Sequence, residues 1–252
     1  MNIIKADLFR FIKDKTTYVL LAIMFVLSPL IVMMYRLTGF NGFTSGTVIL
    51  NGLSTDIFCA LMGLQISLFI GKDYTNNTIR NKLCYGENRF KVAGIYFLES
   101  VLITLLFICV NFLSSFAFGS IFGELSFASD FVPKYFCQIA ILISFSVMMT
   151  SIVVSTKSIK AGFMATLIIS VILSAISYAL PSLATKIPSF EYVCRSLYMV
   201  VSTMLLSSQN GTYYVGSFAF ENIYTNAAIL SSLLVVLSIG ITMFVVKKHN
   251  YK

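Results

Sequence analysis

Residues Gly71–Lys91 read GKDYTNNTIRNKLCYGENRFK. Five of these 21 residues are Lys or Arg (Lys72, Arg80, Lys82, Arg89, Lys91), against two acids, Asp73 and Glu87. Long apolar runs flank the stretch, Leu53–Ile70 before it and Val92–Phe118 after it. Runs of that length suit lipid, because a bilayer core takes about 20 residues of helix. The charged stretch between them therefore stands in water on one face of a bilayer. Its excess of cations assigns that face to the cytoplasm.

The rest of the chain agrees. Of its 252 residues 58% are hydrophobic and 11% charged, and the mean hydropathy is +0.88. Soluble domains carry about 25% charged residues, so a solvated exterior is excluded. The net charge of +8 does not point to nucleic acid, because the cations sit at the ends of apolar runs rather than on one polar face. The first apolar run is as long as a full span and lacks the short core and small-residue cleavage site of a secretory signal; it reads as retained.

Six stretches qualify as spans: Thr17–Met34, Leu53–Ile70, Val92–Phe118, Tyr135–Ser155, Ala161–Ala179 and Ile223–Val246. With the N-terminus inside, the inner segments hold four Lys or Arg in residues 1–16, five in 71–91, two in 156–160 and three in the tail. The outer segments hold only Arg36, Lys134, Lys186 and Arg195. Fourteen cations against four supports six spans with both termini cytoplasmic. Tyr192–Ser208 is apolar enough to compete, but as a seventh span it would carry Lys247, Lys248 and Lys252 outside. It reads instead as a re-entrant or outer-leaflet amphipathic segment between spans five and six, entered past Pro181 and Pro188. No repeat interrupts the chain, and residues 1–252 read as a single membrane domain.

Before the first span, Ile4, Leu8, Phe11 and Ile12 recur at helical spacing and make one apolar stripe, with Lys5, Arg10, Lys13 and Asp14 on the remaining arc. That pattern predicts an amphipathic helix over residues 2–14, lying in the cytoplasmic interface. Inside the charged stretch, Asp73 or Thr75 can cap a short helix over Asn76–Leu83 that Gly86 ends. Ile79 and Leu83 then share a face, flanked by Arg80 and Lys82. Such a helix is a compact knob on which a soluble partner can dock; the alternative is a merely solvated cluster of topogenic charge.

At these residues the chain resembles the permease subunits of ABC transporters of the ABC-2 export type. The resemblance is carried by Asp73-Tyr74, by Thr78-Ile79-Arg80-Asn81-Lys82, and by Gly86 followed by Arg89-Phe90-Lys91. Asn77 stands where such loops more often have Gly. The six spans, the interfacial N-terminal helix and the outer segment extend the likeness over nearly the whole chain. Small permeases associated with antimicrobial-peptide or lantibiotic immunity and bacitracin-type resistance are the most similar in kind. The resemblance implies an all-α membrane protein of the bacterial cytoplasmic membrane that pairs with a second permease half, identical or not. Two separate ATPase subunits, carrying ATP and Mg, would dock on a coupling helix comprising Asp73, Tyr74, Thr75, Thr78, Ile79, Arg80, Asn81, Lys82 and Leu83. It also implies an exporter of amphipathic cargo with the outer region Pro181–Asn222 as its gate. The rival classes are a non-transporting immunity or sensor protein and a secondary transporter.

The chain offers little catalytic chemistry of its own. Gly63 to Gly71-Lys72 is too long for a phosphate-binding loop, and Asp73 stands where Ser or Thr is needed. No nucleotide or other cofactor is expected on this chain. The one histidine, His249, lies in the tail, and the five cysteines (59, 84, 109, 137, 194) lack metal-ligand spacing. No catalytic residue and no metal ligand is expected. Glu99 is the one charge well inside a span. It reads as half of a buried ion pair that ties the third span to a basic residue of the N-terminal helix, with a near-interface residue or a substrate or proton role as alternatives. Gln65 and Asn111 read as interhelical hydrogen-bond partners.

Overall fold

A computed structural model describes residues 3–37, 44–54, 56–84, 88–122, 125–184, 212–215 and 218–248. The described chain is almost wholly helical. An amphipathic helix α1 (Ile3–Lys13) leads into α2 (Lys15–Leu37), and a short α3 (Ser45–Ser54) precedes α4 (Asp56–Thr75). The charged stretch supplies α5 (Thr78–Cys84). Then come α6 (Arg89–Phe122), α7 (Phe131–Thr156), α8 (Ile159–Ala184) and α9 (Ile223–Lys248). Before α9, β1 (Tyr213–Val215) pairs antiparallel with β2 (Phe218–Phe220). Among the described residues five helices, α2, α4, α6, α7 and α9, are long and apolar enough to cross a membrane, and α8 is apolar over Ile159–Val171. The molecule is a multi-pass helical membrane protein. The segment Tyr192–Ser208, expected to re-enter from the outer face, lies outside the described residues.

Local chemistry accounts for the breaks. Between α1 and α2, the Asp14 carboxylate accepts the Thr16 N–H at 3.2 Å and so caps α2. Between α4 and α5, Asn77 takes a left-handed φ of 55°, a conformation Asn tolerates better than most residues. Its carbonyl then accepts the Arg80 N–H at 3.0 Å, which starts α5. The expected second span, Leu53–Ile70, starts in α3, to which Leu53 belongs, and runs on in α4; α3 packs against α2 and α6. Within the charged stretch, Asp73 does not cap α5. It lies inside the last turn of α4, which runs on to Thr75.

Within lipid there is no hydrophobic drive between helices, so close packing and interhelical hydrogen bonds hold them. Gly63, Ser67 and Gly71 recur every fourth residue on α4 and face α8. A methyl group at Gly63 would stand 2.5 Å from Thr166 Cγ2, and one at Gly71 2.5 Å from Ile159 Cγ1. Gly162 of α8 answers with the same closeness, its absent Cβ lying 2.7 Å from Ser67 Oγ. Hydroxyl pairs fasten other seams: Ser28 with Ser115 at 2.8 Å, and Thr242 donating to Ser151 at 2.8 Å. Gln65 donates to Thr17 at 2.8 Å, the interhelical role expected of it. Asn111 departs from that expectation. Its amide has no hydrogen-bond partner among the described residues and is laid against Gly52.

These contacts also orient the bundle. Gln65–Thr17, Gly71–Ile159 and Ser151–Thr242 bring the starts of α2 and α8 and the ends of α4, α7 and α9 to one end. Tyr96, two turns into α6, joins them there. The outward faces are apolar, including Ile23, Val26, Leu30 and Met33 on α2 and Val236, Ile241 and Phe244 on α9. Such a surface suits acyl chains and not water.

Candidate functional site

The end of the bundle that gathers α1, α5 and the last turn of α4 holds a buried polar cluster. Asp73 is its hub and is fully buried. One carboxylate oxygen accepts from the Arg10 guanidinium. The other accepts from Lys82 Nζ at 2.9 Å and from the Tyr96 hydroxyl at 2.8 Å. Lys82 is nearly buried as well and reaches a second acid, Asp7, at 2.7 Å. Asp7 stands one turn before Arg10 on α1, with 3.7 Å between their charged groups. A carboxylate can accept several hydrogen bonds at once, so Asp73 binds α1, α5 and α6 to the end of α4 through one side chain.

The surroundings strengthen these contacts. Arg10 lies 4.4 Å from the Phe69 ring centroid and Lys82 lies 4.9 Å from that of Tyr96, both in cation–π range. Phe11 packs edge-on against Phe69 at 5.5 Å. Burial works against the Arg10 charge. The hydrogen bond and field of Asp73, with Asp7 adding, outweigh it and hold the guanidinium pKa above its usual value. Farther toward solvent, Lys72 and Asp14 pair at 2.7 Å. Burial pushes the Asp14 carboxyl up, but Lys72 and the Thr16 N–H outweigh that and leave it below the usual aspartate value.

The residues expected to meet a partner divide between two faces. Asp73, Ile79 and Lys82 are buried and therefore anchor α5 rather than present it. Ile79 and the half-buried Leu83 line an inward pocket with Tyr74, Val92, Tyr96 and Val154. Tyr74 and Thr78 are half-buried, and Thr75, Arg80 and Asn81 are exposed. On α1 the stripe also divides: Phe11 is in the core, whereas Leu8 and Ile12 are 52% and 53% exposed and face outward, in the manner of a helix lying against lipid. The side chain of Ile4 lies outside the described residues.

Glu99 is buried at 6% exposure, one turn past Tyr96. Among the described residues no cation stands within ion-pair distance of it; Arg10 of α1 and Lys82 of α5 act on it only through their fields, and its carboxyl meets that of Asp7 on α1 in a hydrogen bond. α6 is joined to α1 through the Tyr96 hydroxyl, which donates to Asp73, the same carboxylate that Arg10 of α1 meets. Sequence reasoning passed over Asp7. The available signal was an acid three residues before Arg10, at helical spacing, on an otherwise apolar and basic helix.

No set of three His, Cys, Asp or Glu side chains that could hold a metal occurs among the described residues. Cys59, Cys84, Cys109 and Cys137 form no disulfide among the described residues; Cys194 lies outside the described residues. No protein-family model matches the chain, and no curated protein matches it. Fold and cluster together define a helical multi-pass membrane protein whose N-terminal helix is locked to a short helix beyond the membrane span.

Proposed function

We propose that this chain is one permease half of an ATP-driven ABC-2-type exporter, with α5 as its coupling helix. The observation that carries this reading is the anchoring of α5. A seven-residue helix is too short to persist alone, yet this one is held by Lys82 between Asp7 and Asp73. Its exposed residues, Arg80, Asn81 and Cys84, form with Thr75 at the end of α4 a crown turned away from the bundle. A force applied to that crown is delivered through Asp73 to the last turn of α4, through Tyr96 to α6, and through Asp7 and Arg10 to α1. That is the requirement for a helix that converts the closure of a soluble ATPase into movement of spans.

In this reading the chain crosses the bacterial cytoplasmic membrane six times, with α8 as the fifth span and both termini in the cytoplasm. The distribution of Lys and Arg supports that orientation. Two ATPase subunits supply ATP and Mg, a second permease half completes the pathway, and Pro181–Asn222 closes it on the outer side. The cargo is amphipathic, an antimicrobial peptide or a hydrophobic compound taken from the membrane.

The test is co-purification. The tagged chain is co-expressed with the ABC-type ATPase encoded beside it and isolated in mild detergent. Arg80→Glu with Asn81→Asp should leave the permease folded and release the ATPase, because both positions are exposed. A folded wild-type chain that retains no ATPase would refute the reading and favour a stand-alone immunity or sensor protein.

A further inference from the structure

The N-terminal segment turns its acids inward. Asp7 accepts from Lys82 Nζ at 2.7 Å, and Asp14 pairs with Lys72 at 2.7 Å. These are the only acids in residues 1–20. The outward arc of α1 is left with Lys5, Leu8, Phe9, Ile12 and Lys13, all exposed, and the exposed Lys15 follows at the start of α2. Cations and apolar side chains exposed together on one short helix suit a membrane surface of negative charge.

Beside this arc, a groove of about 210 Å³ runs between α1 and α6. Its walls are Leu8, Phe11 and Ile12 from α1 and Leu102, Ile103 and Leu106 from α6. Asp7 and Glu99 border it, but Asp7 is held by Lys82, the Glu99 carboxyl meets that of Asp7, and both Glu99 oxygens are buried. The groove therefore offers an occupant apolar surface. It is open to the outside, since Leu8, Ile12 and Leu102 of its walls remain exposed.

Lys5, Leu8 and Ile12 stand at i, i+3 and i+7 and so share one face of α1. The α1 wall thus leads, one helical turn on, to an ammonium with three N–H donors. A phospholipid has the matching order of parts, an acyl chain joined through glycerol to a phosphate. Charge decides which phospholipid. A zwitterionic headgroup brings its own cation to the phosphate, whereas an anionic one leaves its charge to Lys5.

We propose that the α1–α6 groove holds one acyl chain of an anionic phospholipid whose phosphate rests on Lys5. The site lies within this chain and requires no ATPase, so it stands apart from the transport reading.

The chain contains no tryptophan, so Leu105→Trp, at an exposed position next to the wall residue Leu106, supplies a single fluorophore. The full chain is placed in phosphatidylcholine nanodiscs with increasing fractions of phosphatidylglycerol or phosphatidylcholine carrying brominated acyl chains, which quench tryptophan on contact. One lysine at an anionic surface contributes about fivefold. Brominated phosphatidylglycerol should therefore quench at about one-fifth of the fraction that brominated phosphatidylcholine needs. Lys5→Gln should bring the two lipids level. Lys13→Gln should leave the preference in place, because the Lys13 ammonium is engaged with the Phe9 ring, 4.5 Å from its centroid. Leu106→Phe, which puts a ring into the groove and keeps every lysine, should also bring the lipids level. Equal quenching by both lipids before any of these three changes would overturn the proposal. So would equal losses in Lys5→Gln and Lys13→Gln, which would mean diffuse attraction to the whole cationic arc. A preference that survives Leu106→Phe would put the acyl chain outside the groove and overturn it as well.

Discussion

Replacing Asp73 with Asn tests whether the ion cluster fastens α5. The amide keeps the size of the side chain but removes the charge that holds Arg10, Lys82 and Tyr96 together. Breaking a buried ion pair by removing one partner costs about 3–5 kcal/mol. Here the lower end applies, because Lys82 keeps Asp7 at 2.7 Å and the Arg10 side chain, 33% exposed, can turn toward water. At about 3 kcal/mol, and 1.4 kcal/mol per factor of ten, local opening should become about 100-fold more frequent. Hydrogen exchange in nanodiscs reads this directly. The amides of 78–84 and of α1 should exchange about 100-fold faster in Asp73→Asn, while those in the middle of α7, remote from the cluster, should not change. A variant in which α5 and α1 stay as protected as in the wild type would refute the argument that Asp73 joins these elements.

Other perturbations have calculable outcomes. Gly71→Leu drives a side chain into Ile159 at the α4–α8 seam, and overpacking of that kind should cost about 1–3 kcal/mol in thermal unfolding; Gly94→Leu, where nothing lies within 4 Å, should cost far less. Ile79→Ala, at a site 6% exposed, should lose about 2–4 kcal/mol, whereas Arg80→Glu on the opposite face should stay within about 0.5 kcal/mol. The Asp14 carboxyl titrates below its unfolded value. Its contribution is therefore full above the ordinary aspartate pKa of about 3.9 and fades as pH falls through the lower folded value. Because the Lys72–Asp14 pair is partly exposed, the loss should be about 0.5 kcal/mol or less; comparing Asp14→Asn with wild type from pH 6 to pH 3 measures it.

Apolar runs and cation placement are local properties of the chain, so they were legible without coordinates. The runs Thr17–Met34, Val92–Phe118, Tyr135–Ser155, Ala161–Ala179 and Ile223–Val246 each fall inside one helix of the structure. A run of about 20 apolar residues cannot leave its backbone polar groups unpaired in lipid, so it has to form a helix. The short helix after α4 was legible for a similar reason, since Asn76-Asn77 interrupts the run and Thr78–Cys84 can resume it.

The partners of the charges were not legible. Asp73 could be read as a cap from its place before Asn76, and Glu99 as half of an ion pair from its place inside a span. The first reading used neighbours along the chain, and the second could not say which residue of the N-terminal helix Glu99 would meet. Asp73 is instead held by Arg10, 63 residues earlier, and by Tyr96, 23 residues later. The Gly63–Ser67–Gly71 stripe could be seen in the sequence, but nothing there named Thr166, Gly162 and Ile159 as what it packs against. Local composition determined that this chain crosses a membrane as helices and roughly where each begins and ends. Tertiary packing alone decided which carboxylate met which cation, because that depends on distances between helices far apart in sequence.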